Sequence, residues 1–92
     1  MPESIVLSDE VVLYYVLRDS GILGRLTSGQ IVRRGPDSLA VFDHLGTELE
    51  YFSGERLRSW CVFGPDGTAL NGWRKVLAQD LSKVPPRLEQ AT

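Results

Sequence analysis

The side chains best suited to chemistry lie in the stretch TELEYFSGERLRSW, residues 47–60. Glu48 and Glu50 are two residues apart, and on a strand this spacing places both on one face with Cα atoms about 6.5–7 Å apart. Two carboxylates at this distance can serve acid/base catalysis when burial raises the pKa of one of them. Alternating glutamates are also ordinary on the solvated face of a half-buried strand. We therefore interpret the pair as the polar face of a strand.

Other catalytic and metal-binding arrangements lack their residues. His44 is the single histidine, and the neighbouring Asp43 would point to the opposite face of a strand. Cys61, the single cysteine, lies in the apolar run WCVF, where burial would keep its thiol protonated. One histidine and one cysteine cannot form a closed zinc site, and no nucleophile elbow, calcium loop or phosphate-binding glycine loop occurs. The sequence predicts a protein that is not an enzyme and takes no cofactor and no metal.

Arginines interleaved with aromatic residues are the strongest indication of a binding surface. The candidate contacts to a nucleic acid or a protein partner are Arg25, Arg33, Arg34, Tyr51, Arg56 and Arg58. Bases can stack on an exposed aromatic ring while arginines contact the phosphates. Arg25 and Arg33 share a face of a strand if the glycines between them do not switch it. The net charge of −2 opposes such binding, because the field of the whole molecule repels phosphate.

Length and composition predict one ordered domain spanning residues 1–92. The chain can close a single core, and its apolar fraction of 42% is too high for disorder. A lone cysteine cannot form an intrachain disulfide, which favours a reducing compartment, and we expect the cytoplasm. The N-terminal residues 1–10 contain no basic region, and the apolar run at 11–17 is far too short to cross a bilayer. We therefore expect neither secretion by that route nor a membrane location.

Turn motifs containing glycine recur at short intervals, which is typical of a β-meander or small barrel. The segments between them predict strands at 11–17, 22–34, 38–44, 47–52 and 58–63. In the third, Leu39 and Val41 share one face; in the fourth, Leu49 and Tyr51 face opposite to the two glutamates. The long second strand contains Gly24 and Gly29, where a bulge or bend would let the sheet coil. Trp60 is expected in the core.

Two segments raise the question of a helix. Residues 8–21 have Ser8 as a possible N-cap and Gly21 as a possible C-terminal stop, but the run is rich in Val and Tyr and apolar on all sides, so we favour a strand. Near the C-terminus, apolar residues at helical spacing predict a helix over 71–84, capped by Asn71, with Arg74 and Lys75 at its start. Pro85-Pro86 would end it and leave 85–92 as a tail.

The order of elements over residues 11–63 resembles that of Sm-like and SH3-like small barrels. The residues that carry the resemblance are Tyr15 to Gly21, Ile22-Leu23-Gly24-Arg25-Leu26, and the segments SLAVFDH and TELEYFSGERLRSW. In the bacterial Sm-like RNA chaperones a Tyr-Lys-His turn lines a uridine pocket in a ring; this chain has Tyr51-Phe52-Ser53 there, so only the tyrosine corresponds. The resemblance implies a small barrel and leaves single-stranded RNA binding as an alternative.

These observations together predict a mainly β (α+β) protein: a small antiparallel SH3/Sm-like barrel or coiled sheet of about five strands with one C-terminal helix. Strand edges of small barrels pair with neighbours, and the apolar run at 11–17 adds surface that a partner can bury. We expect a non-enzymatic interaction module that forms a homo-oligomer and acts by protein contact. The alternative is a regulatory protein of Sm-like type that binds single-stranded RNA or DNA.

Overall fold

The computed structural model describes residues 3–83, which form eight strands arranged as two four-stranded antiparallel sheets. The strands are β1 (Ser4–Val6), β2 (Val12–Leu17), β3 (Leu23–Leu26), β4 (Gln30–Arg33), β5 (Leu39–Phe42), β6 (Glu48–Phe52), β7 (Leu57–Phe63) and β8 (Ala69–Lys75). The first sheet has the order β1-β4-β5-β6 and the second the order β3-β2-β7-β8. The mainly β class is confirmed, whereas the prediction of about five strands is wrong.

The predicted strand at 11–17 is confirmed as β2, and the helical alternative is wrong. β2 lies inside the second sheet between β3 and β7, so neighbours occupy both of its edges. Its two faces are both covered: Leu13 belongs to the main core and Val16 to a smaller cluster on the outer face of the sheet. A strand buried on both faces needs apolar residues at successive positions, which explains the run that is apolar on all sides.

The single long strand predicted over 22–34 is wrong, because the chain passes from one sheet to the other within it. β3 pairs with β2 in the second sheet, and β4 pairs with β1 and β5 in the first. Gly29 lies just before β4 with a φ of +92°, a left-handed conformation that residues with a Cβ rarely adopt. The predicted bend is therefore present at Gly29, and it is sharp enough to end one strand and begin another in a different sheet.

The predicted C-terminal helix over 71–84 is also wrong. Residues up to Lys75 form β8, which pairs with β7 across a turn at residues 64–68. Between β8 and residue 83, where the described part of the chain ends, the helical content is one short 3-10 helix, Ala78–Asp80. Trp73 does bury part of its surface, but from a strand, with its ring edge-on to Trp60 at 6.2 Å between centroids. Val84, Pro85, Pro86 and the predicted tail lie outside the described residues.

One main core lies between the two sheets. Its buried members are Leu7, Leu13, Ile31, Leu39, Val41, Phe52, Leu57, Trp60 and Val62. The predicted shared face of Leu39 and Val41 is confirmed, as is the buried position of Trp60. The predicted N-terminal segment contains a strand that the sequence did not indicate, since β1 pairs with β4 and Ile5 packs against the core. The SH3/Sm-like order of elements stays a prediction.

Candidate functional site

Arg33, a predicted contact residue, is part of the wall of the core. Its guanidinium carbon lies 5.1 Å from the ring centroid of Trp60 and 5.6 Å from that of Trp73. One guanidinium nitrogen donates a hydrogen bond to the Gly72 carbonyl at 2.6 Å, and Nε lies 3.9 Å from a Glu3 carboxylate oxygen. The guanidinium of Arg33 thus contacts two aromatic rings and donates to a backbone carbonyl. These contacts stabilise the fold and leave the guanidinium poorly placed to bind a ligand.

Arg34 and Arg56 pair with the two glutamates of β6. The Arg34 to Glu48 and Arg56 to Glu50 distances are both 3.5 Å, and all four side chains are about half exposed. Exposed pairs of this kind contribute little to stability, on the order of 0–1 kcal/mol. Their effect on binding is larger, because each glutamate places a negative charge where a phosphate would approach. Both glutamates are solvated as predicted, but they do not share a face, because the register shift places Glu50 opposite Val41 and Glu48 opposite Phe42.

The predicted contact residues do not form one patch. Arg25 and Arg58 belong to the second sheet, whereas Tyr51 belongs to the first sheet and Arg34 directly follows its strand β4. Arg25 is exposed on β3 and makes no ion pair within residues 3–83. Only Tyr51 and Arg56 meet directly, through a 3.0 Å hydrogen bond that the Arg56 guanidinium donates to the Tyr51 carbonyl oxygen.

Arg58 forms a buried ion pair that the sequence did not indicate. Two of its nitrogens donate to the two carboxylate oxygens of Asp80, at 3.0 and 2.7 Å, and the Ser59 hydroxyl donates to Asp80 at 2.6 Å. The Ser59 oxygen in turn accepts a hydrogen bond from the backbone N–H of Leu77 at 3.0 Å. The Asp80 residue is fully buried. No local pattern marks Asp80, because its partners are more than twenty residues away along the chain.

The hydrogen bonds from Arg58, followed by that from Ser59, hold the pKa of Asp80 below its usual value, although burial acts in the opposite direction. The pKa of Arg58 is raised, chiefly by its hydrogen bonds to Asp80. Bidentate contact with a guanidinium favours the ionised carboxylate more than desolvation disfavours it. Asp80 is therefore a charged group in a buried position, neutralised by one arginine.

The lowered pKa of Asp80 predicts a loss of stability in acid. A carboxyl with a lower pKa in the folded state stabilises the fold above its unfolded pKa, near 3.8, and this contribution disappears as the pH falls through the folded pKa. We expect the free energy of unfolding to fall below about pH 4, with Asp80 contributing at most about 1.4 kcal/mol per pH unit. Urea unfolding of the wild type and of Asp80→Asn at a series of pH values measures this. Identical acid slopes for the two proteins would contradict the prediction.

Strand β6 presents an exposed apolar surface at an edge of the first sheet. Leu49 is 62% exposed and Tyr51 is 40% exposed. The predicted division of this strand into an apolar and a polar face is wrong, because a bulge interrupts the pairing of β6 with β5. Leu49 and Tyr51 stay exposed because no described element covers the strand. Leu45, at the tip of the hairpin before β6, is 79% exposed, and it borders a groove of about 590 Å³ that Val6 and His44 also line.

The two residues considered for nucleophilic or metal chemistry, His44 and Cys61, lie in different parts of the fold. His44 is exposed in the turn between β5 and β6, while Cys61 is buried in the second sheet. Burial raises the pKa of the Cys61 thiol to about 11, with a partly offsetting effect of the Arg74 charge. Among residues 3–83, no three His, Cys, Asp or Glu side chains are grouped so that they could hold a metal ion.

No helix within the described part of the chain has the length and apolar character needed to span a membrane. No protein-family model, curated protein or solved structure matches the chain.

Proposed function

We propose that the chain is a non-enzymatic interaction module that acts by protein contact and forms a homo-oligomer through strand β6. The observation that carries the proposal is the open edge of this strand, whose first four residues are all exposed and include Leu49 and Tyr51. Within residues 3–83, β6 pairs with β5 alone, so its other edge has no strand partner, and the Tyr51 carbonyl oxygen accepts a hydrogen bond from Arg56. An exposed edge strand that carries apolar side chains is a template for adding another strand.

A second copy of the chain fits this edge through a two-fold arrangement. If two β6 strands pair antiparallel with Glu50 at the symmetry axis, Leu49 of each copy lies opposite Tyr51 of the other. Cross-strand pairs of an aromatic and an aliphatic residue stabilise sheets. The two Glu50 side chains meet at the axis, and each keeps its own Arg56 as a partner.

Self-association has more support than nucleic-acid binding. Four of the five predicted arginines lie within 4 Å of a carboxylate oxygen, namely Arg33, Arg34, Arg56 and Arg58. Releasing them for phosphates would leave those carboxylates unpaired beside the phosphates. Binding of single-stranded RNA or DNA stays a prediction, and the positions of the predicted arginines do not support it. The proposal includes a cytoplasmic location, which the single unpaired cysteine supports.

The test is the mass of the protein in solution across a concentration series, measured by sedimentation equilibrium. We expect the wild type to rise from one chain of 10.2 kDa toward two. Leu49→Lys should weaken this association at least about tenfold, because it replaces both Leu49–Tyr51 contacts with charge. Since Leu49 is exposed, the substitution should change the free energy of unfolding of the monomer by no more than about 0.5 kcal/mol.

Leu45→Lys is the matched control, because Leu45 is equally apolar and even more exposed but lies on the hairpin tip outside β6. It should leave the association of the wild type nearly unchanged. A wild type that stays monomeric at every concentration would contradict the proposal. Equal weakening by the two lysine substitutions would place the contact at the hairpin tip instead of the strand edge.

A further inference from the structure

The segment of residues 76–83, here termed the strap, follows β8 and lies against the second sheet. Its attachment is mainly polar. Asp80 accepts hydrogen bonds from Arg58 and Ser59 on β7, and Leu77 donates its backbone N–H to Ser59. Further along, the Lys83 ammonium donates to the Gly21 carbonyl at 3.2 Å, at the turn between β2 and β3. The strap thus bonds to β7 and to the turn between β2 and β3 through three of its own groups, the Asp80 carboxylate, the Leu77 N–H and the Lys83 ammonium.

The apolar attachment of the strap is small by comparison. Val76 packs against the cluster on the outer face of the second sheet, but Asp80 is the only fully buried strap residue. Leu81 is exposed. None of the strap residues belongs to the main core between the sheets. A segment with few buried apolar contacts opens at a lower free energy than the core, and here most of the attachment depends on one carboxylate.

The strap lies beside the one thiol of the chain. Ser59 and Cys61 are two residues apart on β7 and share the outer face of the second sheet, and the strap contacts Ser59. Val76 contacts the cluster of Val16, Cys61 and Phe63, in which Cys61 has no exposed surface. Removing the strap would therefore uncover the part of this face where the thiol lies.

We infer that the strap is a detachable cover: it opens as a unit while both sheets stay folded, the Asp80 carboxylate holds it closed, and opening makes Cys61 accessible. The charged groups that face Asp80 are both cations, Arg58 on β7 and Lys83 in the strap itself. Loss of the negative charge leaves two cations near each other and turns one of the two acceptor oxygens into a donor group, so that at least one of the three hydrogen bonds is lost. The sheets themselves lose no ladder hydrogen bond.

Alkylation of Cys61 by iodoacetamide measures the opening, because the single cysteine is the only thiol that can react. The thiolate sulfur bonds to the reagent carbon, iodide leaves, and the thiol proton passes to the buffer. Asp80→Asn should raise the alkylation rate at least tenfold over the wild type, while the fluorescence of the two tryptophans, Trp60 and Trp73, stays native. Asp66→Asn is the matched control, since the Asp66 carboxylate also accepts hydrogen bonds, from the hydroxyl and the backbone N–H of Thr68, but lies in the turn between β7 and β8.

A second measurement keeps the inference testable if Asp80→Asn fails to fold. In the wild type, the alkylation rate should depend only weakly on low concentrations of urea, because a local opening exposes little surface. An unchanged rate in a folded Asp80→Asn protein would overturn the inference. So would a wild-type rate that follows urea with the full slope of global unfolding, since the thiol would then react only when the sheets unfold.

Discussion

Replacing Gly29 with alanine is expected to lower the free energy of unfolding by about 3 kcal/mol or more. Two costs add at this position. The φ of +92° is unfavourable for any residue with a Cβ, and that Cβ would lie 2.5 Å from the backbone carbonyl oxygen of Phe42. A backbone atom within a sheet cannot move aside as a flexible side chain can. The Gly29 carbonyl also accepts a 2.7 Å hydrogen bond from Leu7, so a shift here would disturb β1 as well.

Gly35→Ala is the matched control for the Gly29 substitution. Gly35 has a nearly equal φ of +95°, but an added Cβ would meet nothing within 4 Å. It should therefore show only the conformational cost, about 1 kcal/mol. Urea unfolding of both variants gives the difference, which reports the clash with Phe42. Equal destabilisation of the two proteins would mean that the chain relaxes around Gly29 and that its close approach to β5 is not required.

Trp60→Ala is expected to destabilise the fold by about 3–5 kcal/mol. Trp60 is the largest fully buried side chain and is 1% exposed. Its ring contacts Trp73 edge-on and lies under the Arg33 guanidinium, so truncation would leave a cavity and remove a partner from both. The opening of this cavity affects β4, β7 and β8 together, since these three strands supply the residues around the indole.

Trp60→Phe should destabilise the fold much less, by about 1–2 kcal/mol. The indole Nε1 is buried and has no hydrogen-bond partner within the described part of the chain. A buried donor without a partner is unfavourable, so replacing the indole with a phenyl ring removes that penalty while it loses packing. Thermal or urea unfolding of the two variants distinguishes the contributions. Equal destabilisation by phenylalanine and alanine would contradict the prediction. It would mean that the indole N–H of Trp60 donates a stabilising hydrogen bond in solution.

The edge of β6 and the strap lie on different sheets, so the experiments that test the two proposals are independent. Leu49 belongs to β6 in the first sheet, whereas the strap binds β7 in the second. Substitutions at distant sites without shared partners add in their effects. We expect Leu49→Lys to leave the alkylation of Cys61 unchanged. Conversely, Asp80→Asn should leave self-association through β6 unchanged.

The predicted strands at 11–17, 38–44, 47–52 and 58–63 all correspond to strands in the structure. Each is rich in β-branched and aromatic residues and is bounded by turn residues, which are signals contained within a few neighbouring positions. The predictions for residues 22–34 and 71–84 are wrong because the deciding interactions there are between residues far apart in the sequence. In residues 22–34 the chain continues with strand-forming residues on both sides of Gly29, so local signals do not reveal that its two halves join different sheets. The residues after Asn71 have apolar positions compatible with a helical spacing, and pairing with β7 outweighs it.

The candidate site shows the same division between local and long-range information. The sequence singled out Tyr51, Arg56 and Arg58 near one turn, and Tyr51 does meet Arg56. It gave no reason to connect Arg58 with Asp80, because that contact depends on where β8 ends and how the chain turns afterwards. It also could not show that Leu49 is exposed, since alternation predicts which residues share a face but not whether anything covers that face.

The sequence by itself determined the mainly β class of this protein, four of the eight strands within residues 3–83 and the burial of Trp60 and Cys61. Backbone propensity and turn chemistry act over a few residues and can therefore be recognised locally. Only the tertiary structure decided which strands share a sheet, that residues 69–75 form a strand, and that Asp80 is bound to Arg58. These features depend on pairing and burial between distant residues, whose free energy is gained only when both partners are in place.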